Sequence, residues 1–281
     1  MTSLSIMQLA ERNALSLDDL ASKYIPELDS PSFDIITGFA DDGSVLTTPR
    51  KTAITIRHLL THTSGLAYHE MHPNLVQWCK VTGHIPVNFT EVLPRFTAPL
   101  IFEPCEGWMY STGLDFAGLI VERITNLSLE DYMKANIWGP LGMSNMTFFP
   151  SSRPDMQARQ MGLATRSEST GKMEYAATCQ YTELSGKGDN KACLGGQGVF
   201  GTAESYIKVL HALLTTDEDE KLLKKESVEE LFRPQLNEKG KAALNGMMQI
   251  TTVRNAMGVP PKEVEKDHAL GGLVILGDEE G

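Results

Sequence analysis

Apolar residues at Leu4, Ile6, Met7, Leu9 and Ala10 fall on more than one helical face, so Leu4 to Ala14 is predicted to be a helix buried on most sides rather than a surface helix. Only Thr2 or Ser3 is available to cap it. Chain ends usually lie at the surface and fray, so an opening helix this apolar carries the expectation of further sequence upstream. Asp18-Asp19 ahead of Leu20, Lys23 and Tyr24 reads as a short acidic-to-basic helix stopped by Pro26. Residues 29–53 are expected to be a loop carrying one short strand. Ile54 to Leu60 starts a helix, and Gly65 closes it after His62-Thr63-Ser64.

From Leu66 to Leu100 no period dominates, and prolines at 73, 86, 94 and 99 predict long loops with short helices, a segment suited to walling a cleft. The pattern tightens after Phe102. Pro104 and Gly107 mark a turn, Phe116, Leu119, Ile120 and Ile124 give Asp115 to Thr125 a helical period, and Leu129 to Ile137 gives another. Gly139-Pro140-Leu141-Gly142-Met143 breaks the chain. Residues 150–192 are polar and rich in Ser, Thr and Gly. Leu194-Gly195-Gly196-Gln197-Gly198 then leads into a helix capped near Thr202, helices run on to Phe232, and Pro234 ends them. Leu270 to Leu276 is an apolar run suited to a buried strand.

With 281 residues, 41% of them hydrophobic, the chain can bury a core as one large domain or two lobes. A formal charge of -11 repels phosphate backbones and anionic bilayers. No nucleic acid and no membrane partner is therefore expected. Cys79, Cys105, Cys179 and Cys193 are too few and too scattered for a disulfide framework or zinc ribbon, and read as reduced core thiols. The triplets at Asn88, Asn126 and Asn145 fit glycosylation only in a secreted chain. The N-terminus has no basic region leading into an apolar stretch, and nothing approaches the roughly 20 apolar residues of a membrane span. A soluble, cytoplasmic protein is expected.

Five blocks in order carry a resemblance. They are Leu17-Asp18-Asp19 with Tyr24-Ile25-Pro26; Ile54-Thr55-Ile56-Arg57-His58-Leu59-Leu60-Thr61-His62-Thr63-Ser64-Gly65-Leu66; Pro104-Cys105-Glu106-Gly107-Trp108-Met109-Tyr110-Ser111-Thr112; Gly139-Pro140-Leu141-Gly142-Met143; and Gly195-Gly196-Gln197-Gly198. Together they resemble the serine β-lactamase-like superfamily, in the class C-related branch of esterases, DD-peptidases and fungal polyketide acyltransferases. The resemblance implies an α+β fold of the β-lactamase/transpeptidase type. Residues 1–281 would then be an incomplete catalytic domain, mostly helical lobe up to about 215, with a partial α/β lobe and an incomplete antiparallel sheet after it.

The same resemblance implies the chemistry. In the family a serine activated by a lysine one helical turn later forms an acyl-enzyme. A tyrosine beside the lysine shuttles the proton, because the neighbouring ammonium favours a phenolate that would otherwise form too reluctantly. Tyr110 matches that tyrosine. The family usually has Asn two residues on, where this chain has Thr112. Trp108, Gly195 and Gly196 are candidate substrate-binding residues beside Tyr110 and Thr112. The expected substrate is a small-molecule or carrier-bound ester, thioester or amide acyl group, with no metal and no organic cofactor. The Ser-x-x-Lys pair would stand directly ahead of Met1 and a Lys/His-x-Gly strand after Leu273. Both lie outside this sequence, so truncation at both ends is expected. A non-catalytic remnant that binds ligand or partner is the alternative.

Two other Ser-x-x-Lys spacings occur, Ser169 to Lys172 in a polar loop and Ser205 to Lys208 on a helix, and both read as chance pairings. His58 and His62 share a helical spacing, as do His69 and His72. Histidines beside buried leucines are more often hydrogen-bonded than metal-bound, so His58 and His62 are expected to brace the turn at Ser64-Gly65. For Tyr110 the bland reading is a half-buried ring, for Trp108 core packing, and for the glycines a tight turn.

Overall fold

The computed structural model describes residues 1–167, 169–176, 192–258 and 262–277. Its helices in chain order are α1 (Thr2–Glu11), α2 (Ile56–Leu60), α3 (Pro73–Thr82), α4 (Val92–Phe96), α5 (Gly113–Thr125), α6 (Leu129–Met133), α7 (Pro154–Gln157), α8 (Ala203–Leu214), α9 (Thr216–Asp219), α10 (Lys225–Phe232), α11 (Glu238–Met247) and α12 (Thr251–Ala256). The described strands pair only in antiparallel twos. These are β1 (Ile35–Phe39) with β2 (Val45–Thr48), β3 (Met146–Thr147) with β6 (Phe200–Gly201), β4 (Leu163–Arg166) with β5 (Met173–Ala176), and β7 (Glu265–His268) with β8 (Leu273–Leu276). The fold is α+β.

The opening helix is buried from Thr2 through Leu9, as its apolar pattern requires, and packs on α5 and α10. Gln8 sits in that buried surface without an unmet polar atom. Its amide donates to the carbonyls of Asn136 and Leu222, each at 3.1 Å, and its oxygen accepts from the Tyr132 hydroxyl at 3.3 Å. Neither Thr2 nor Ser3 caps the helix, contrary to expectation. Thr2 Oγ1 instead donates across the fold to the carbonyl of Gly195 at 2.6 Å, so a tertiary bond displaces the local one.

α5 is the central element, packed on α1, α2, α4 and α6. Its start approaches α2 so closely that a Cβ on Gly113 would lie 2.2 Å from the Leu59 carbonyl oxygen. Local side chains cap α2 and α8. Thr55 and His58 form a reciprocal capping box at α2, and Thr202 accepts from the Ser205 amide at α8.

Several expectations need correction. The helix expected before Pro26 is a 3₁₀ turn (Ala21–Lys23), and Pro26 opens another (Pro26–Asp29) rather than stopping a helix, because its missing N–H is no loss at a first position. The helix expected through Ile137 ends at Met133 and continues as the π-helical turn Lys134–Trp138. The tail is a hairpin in which Leu270 is buried at the turn while β8 is only half-buried. Cys79 and Cys105 are partly exposed free thiols and Cys193 is buried, whereas Cys179 lies outside the described residues. No described helix is long and apolar enough to cross a membrane.

Candidate functional site

The site grows from the chain reversal after α2. His62 turns back with φ 61°, and Gly65, at φ 84°, lets the chain pass where a Cβ would meet the Phe102 carbonyl oxygen at 2.2 Å. Residues 62–65 then run beside 101–109. The amides of Ile101, Cys105 and Met109 donate to the carbonyls of Gly65, Thr63 and His62 at 2.8, 2.8 and 3.1 Å. This pairing delivers Trp108 and Tyr110 next to His62.

His62 lies beneath Tyr110, with ring centroids 4.8 Å apart. Its Nδ1 accepts the Ser111 amide at 3.1 Å and stands 3.0 Å from the Ser111 hydroxyl. A nitrogen that accepts a backbone N–H carries no proton, so the ring is the neutral Nε2–H tautomer. Burial holds its pKa well below the usual histidine value, and nearby His268 adds to the effect. His268, 5.0 Å away by centroids, is pushed down to about 4, chiefly by burial. His62 therefore braces Tyr110 rather than the Ser64-Gly65 turn. Only a contact 49 residues apart reveals this, and a single sequence carries no signal for it.

Tyr110 is half-buried and lines a cavity of about 1000 Å³ together with Tyr68, His69, Arg95, Trp108 and Gly196. The segment from Tyr68 to Phe96 supplies one wall, as its loop-rich pattern anticipates, and α11 and α12 supply another through Met247, Val253 and Ala256. Trp108 is buried on this wall, and its indole N–H has no hydrogen-bond partner among the described residues. Thr112 is fully buried at the start of α5 and is not among the lining residues. Its hydroxyl also lacks a partner there.

Arg95 is 5% exposed. Its Nη1 donates to the Phe89 carbonyl at 3.2 Å, its Nε has no partner, and among the described residues no carboxylate comes within ion-pair range. Burial lowers its pKa, against the attraction of Asp115, Glu70 and Tyr68. A guanidinium this dry is costly unless an anion meets it.

Behind this wall sits Asp115, fully buried, accepting the Tyr68 hydroxyl and the Gly196 amide, each at 3.0 Å. Burial raises its carboxyl to about 6, although both bonds and Arg95 pull it down. Gly196 lines the large cavity and also a second one of about 670 Å³, where Gly195, Met1 and Thr2 lie. The glycine turn is thus the partition between Tyr110 and the start of α1.

Neither Ser-x-x-Lys spacing reaches Tyr110. Ser169 and Lys172 are exposed beside β5. The buried Ser205 hydroxyl accepts from Thr202 at 3.1 Å, and Lys208 donates to the Gly142 carbonyl at 3.1 Å. None of these four residues lines the cavity that holds Tyr110. His58 is spent on its capping box, and the ring of His69 stacks on those of Trp78 and His84.

The Beta-lactamase family model matches residues 1–249. The chain belongs to this family. It is 35% identical over 282 residues to "Monacolin J acid methylbutanoyltransferase" of Aspergillus terreus, covering 100% of this chain and 66% of that protein. It is 34% identical over 283 residues to "Lovastatin esterase" of Penicillium rubens, covering 100% and 68%. Among solved structures it superposes on a mutant of simvastatin synthase from Aspergillus terreus with TM-score 0.87 and 38% identity, over 100% of this chain and 66% of that one. The β-lactamase family chain therefore spans about two thirds of the length of these relatives.

Proposed function

We propose that this chain is the greater part of a serine hydrolase or acyltransferase that handles ester, thioester or amide acyl groups through an acyl-enzyme, with Tyr110 as the proton-transferring phenol. One observation carries the reading. Tyr110 lines a cavity of about 1000 Å³ together with Arg95, a buried cation with no carboxylate in ion-pair range among the described residues, and an apolar wall. A concave, mostly apolar cavity with a few convergent polar groups is the usual form of a ligand site. The family and the names of its transferase and esterase relatives support the reaction class.

Each group then has a task. The apolar wall from α11 and α12 receives the carbon skeleton of the substrate. The Trp108 ring packs against the bound substrate. Arg95 pairs with a carboxylate, in keeping with the acid named in the transferase relative. Gly196 separates this cavity from the start of α1, where a Ser-x-x-Lys pair ahead of Thr2 would reach the acyl carbon. Gly195 and Gly196 act through close packing, since the polar ends of their shared peptide are taken by Thr2 and Asp115.

The test uses 4-(butanoyloxy)benzoate, an ester with a carboxylate, and its neutral methyl ester, titrated into the 281-residue chain by calorimetry. Arg95→Leu should weaken the acid by about 10- to 100-fold, the worth of a buried charge-assisted hydrogen bond, and leave the methyl ester within about threefold. Equal losses for both, or no binding of either by the parent chain, would remove the reading. A second reading, a binding remnant without turnover, draws on the absence of both Ser-x-x-Lys spacings from the lining of the Tyr110 cavity. It fits the same binding results and parts from the first at the acylation step.

A further inference from the structure

The peptide between Gly195 and Gly196 is gripped at both polar ends. Thr2 Oγ1 donates to its carbonyl at 2.6 Å, and its N–H donates to Asp115 Oδ1 at 3.0 Å. The other oxygen of the same carboxylate accepts the Tyr68 hydroxyl at 3.0 Å. The Tyr68 ring lies 5.7 Å from that of Tyr110, tilted by 30°. Space leaves no slack around this joint. A Cβ on Gly196 would stand 2.8 Å from both Asp115 Oδ2 and the Tyr68 oxygen, and one on Gly195 would stand 2.3 Å from the Leu114 carbonyl oxygen.

Asp115 is 0% exposed, and among the described residues no guanidinium or ammonium pairs with it. Helix stability does not explain so buried a charge, because an acidic residue serves a helix start equally well from the surface. What the carboxylate does is join three parts of the fold. These are α5, which carries it, the glycine turn, which separates the cavities, and the Tyr68 segment, which forms the wall beside Tyr110.

Resting on the reading of the cavity as an acyl-ligand site, we propose that Asp115 is a positioning residue, its carboxylate locking the Gly195–Gly196 peptide and the Tyr68 phenol into the wall that presents ligand to Tyr110. An ionised carboxylate accepts both bonds at once and accepts them more strongly than a neutral oxygen. A protonated one turns one oxygen into a donor and gives up part of the grip. The titratable or charged groups that face it are Tyr68 from the segment after α2 and Arg95 from α4, and the Gly196 amide faces it from the glycine turn. Burial against these partners places its titration at about 6, so the amide of Gly196 reports the state of the joint.

The test follows the Gly196 amide by nuclear magnetic resonance in the 281-residue chain between about pH 7.5 and about pH 5.5, together with calorimetric binding of 4-(butanoyloxy)benzoate. In the parent chain the Gly196 resonance should move with pH. In Asp115→Asn, whose single oxygen can accept the amide but not also the Tyr68 hydroxyl, it should stay still, and probe binding should fall between that of the parent and that of Asp115→Ala. Asp115→Ala, with its fold checked by circular dichroism, should exchange the Gly196 amide at least about tenfold faster and bind the probe at least about tenfold more weakly. A Gly196 resonance that ignores pH in the parent, or titrates equally in Asp115→Asn, overturns the proposal. So does a folded Asp115→Ala with parental exchange and affinity. If Asp115→Ala does not fold, the parent and Asn titrations still decide. A parent that binds no probe sinks the ligand-site reading instead, while the amide data continue to judge the joint.

Discussion

Lowering the pH from 7 to 5 should destabilise the fold by about 3–5 kcal/mol, a large share of the roughly 5–15 kcal/mol that holds a typical domain together. The cause is a set of histidines buried in neutral form around the site. His268 and His69 are held at about 4 instead of the ordinary 6.5, in both cases chiefly by burial. The unfolded chain takes up these protons first. The stability each group contributes is complete above 6.5 and is lost as the pH falls towards 4, amounting to about 2 kcal/mol per group by pH 5. His62 acts in the same direction, since its Nδ1 must abandon the Ser111 amide to accept a proton. Asp115 acts oppositely. Its raised carboxyl binds a proton in the folded state first and returns about 1 kcal/mol by pH 5. Urea midpoints measured across this range check the sum, and His268→Gln should flatten the slope. A stability that does not change between pH 7 and 5 would show that these rings are not buried neutral.

The second large effect belongs to Tyr110. In a polypeptide carrying a Ser-x-x-Lys pair ahead of Thr2, Tyr110→Phe should slow acylation by a serine-directed probe about 10²- to 10⁴-fold, the usual contribution of a positioned proton-transfer group. Affinity for the ester should change by less than about threefold, because the ring, its contact with His62 and the cavity wall remain. Intact-mass kinetics give the rate, and peptide mapping gives the serine. An adduct that forms equally fast with Phe at 110 would remove the phenol from the mechanism. No adduct at any serine, with ester binding intact, would favour the binding remnant.

Elements whose apolar period is strong were legible in the sequence. α1 and α5 follow their spacing, and the cap at Thr202 is a local signal that survives folding. α11 and α12 were not anticipated. α11 buries only Gly240 and Leu244 and carries glycines and lysines along its length, and α12 buries no residue, so neither displays a period. They acquire their place by supplying a wall of the cavity.

The site divides in the same way. Tyr110 and Trp108 stood out because motif residues surround them, and the structure sets both on one cavity. Thr112, named with them, is buried off its wall. Arg95 and Asp115 escaped notice because each reads locally as an ordinary helix charge, one in the last turn of α4 and the other in the first turn of α5. Only tertiary packing converts them into a buried cation on the wall and a buried carboxylate behind it. The hint available in the sequence was position alone, since Asp115 precedes Phe116-Ala117 and Arg95 precedes Phe96 on faces that must turn inward.

The indole N–H resonances of the 281-residue chain offer the most direct trial of the ligand cavity. There are three tryptophans, Trp78, Trp108 and Trp138, and the last already donates to the Met1 sulfur at 3.3 Å. Titration with 4-(butanoyloxy)benzoate should shift the Trp108 signal, because its ring lines the cavity, while Trp138, which is not among the lining residues, stays in place. A Trp108 signal that does not respond at saturating ligand would contradict the assignment of this cavity as the acyl site.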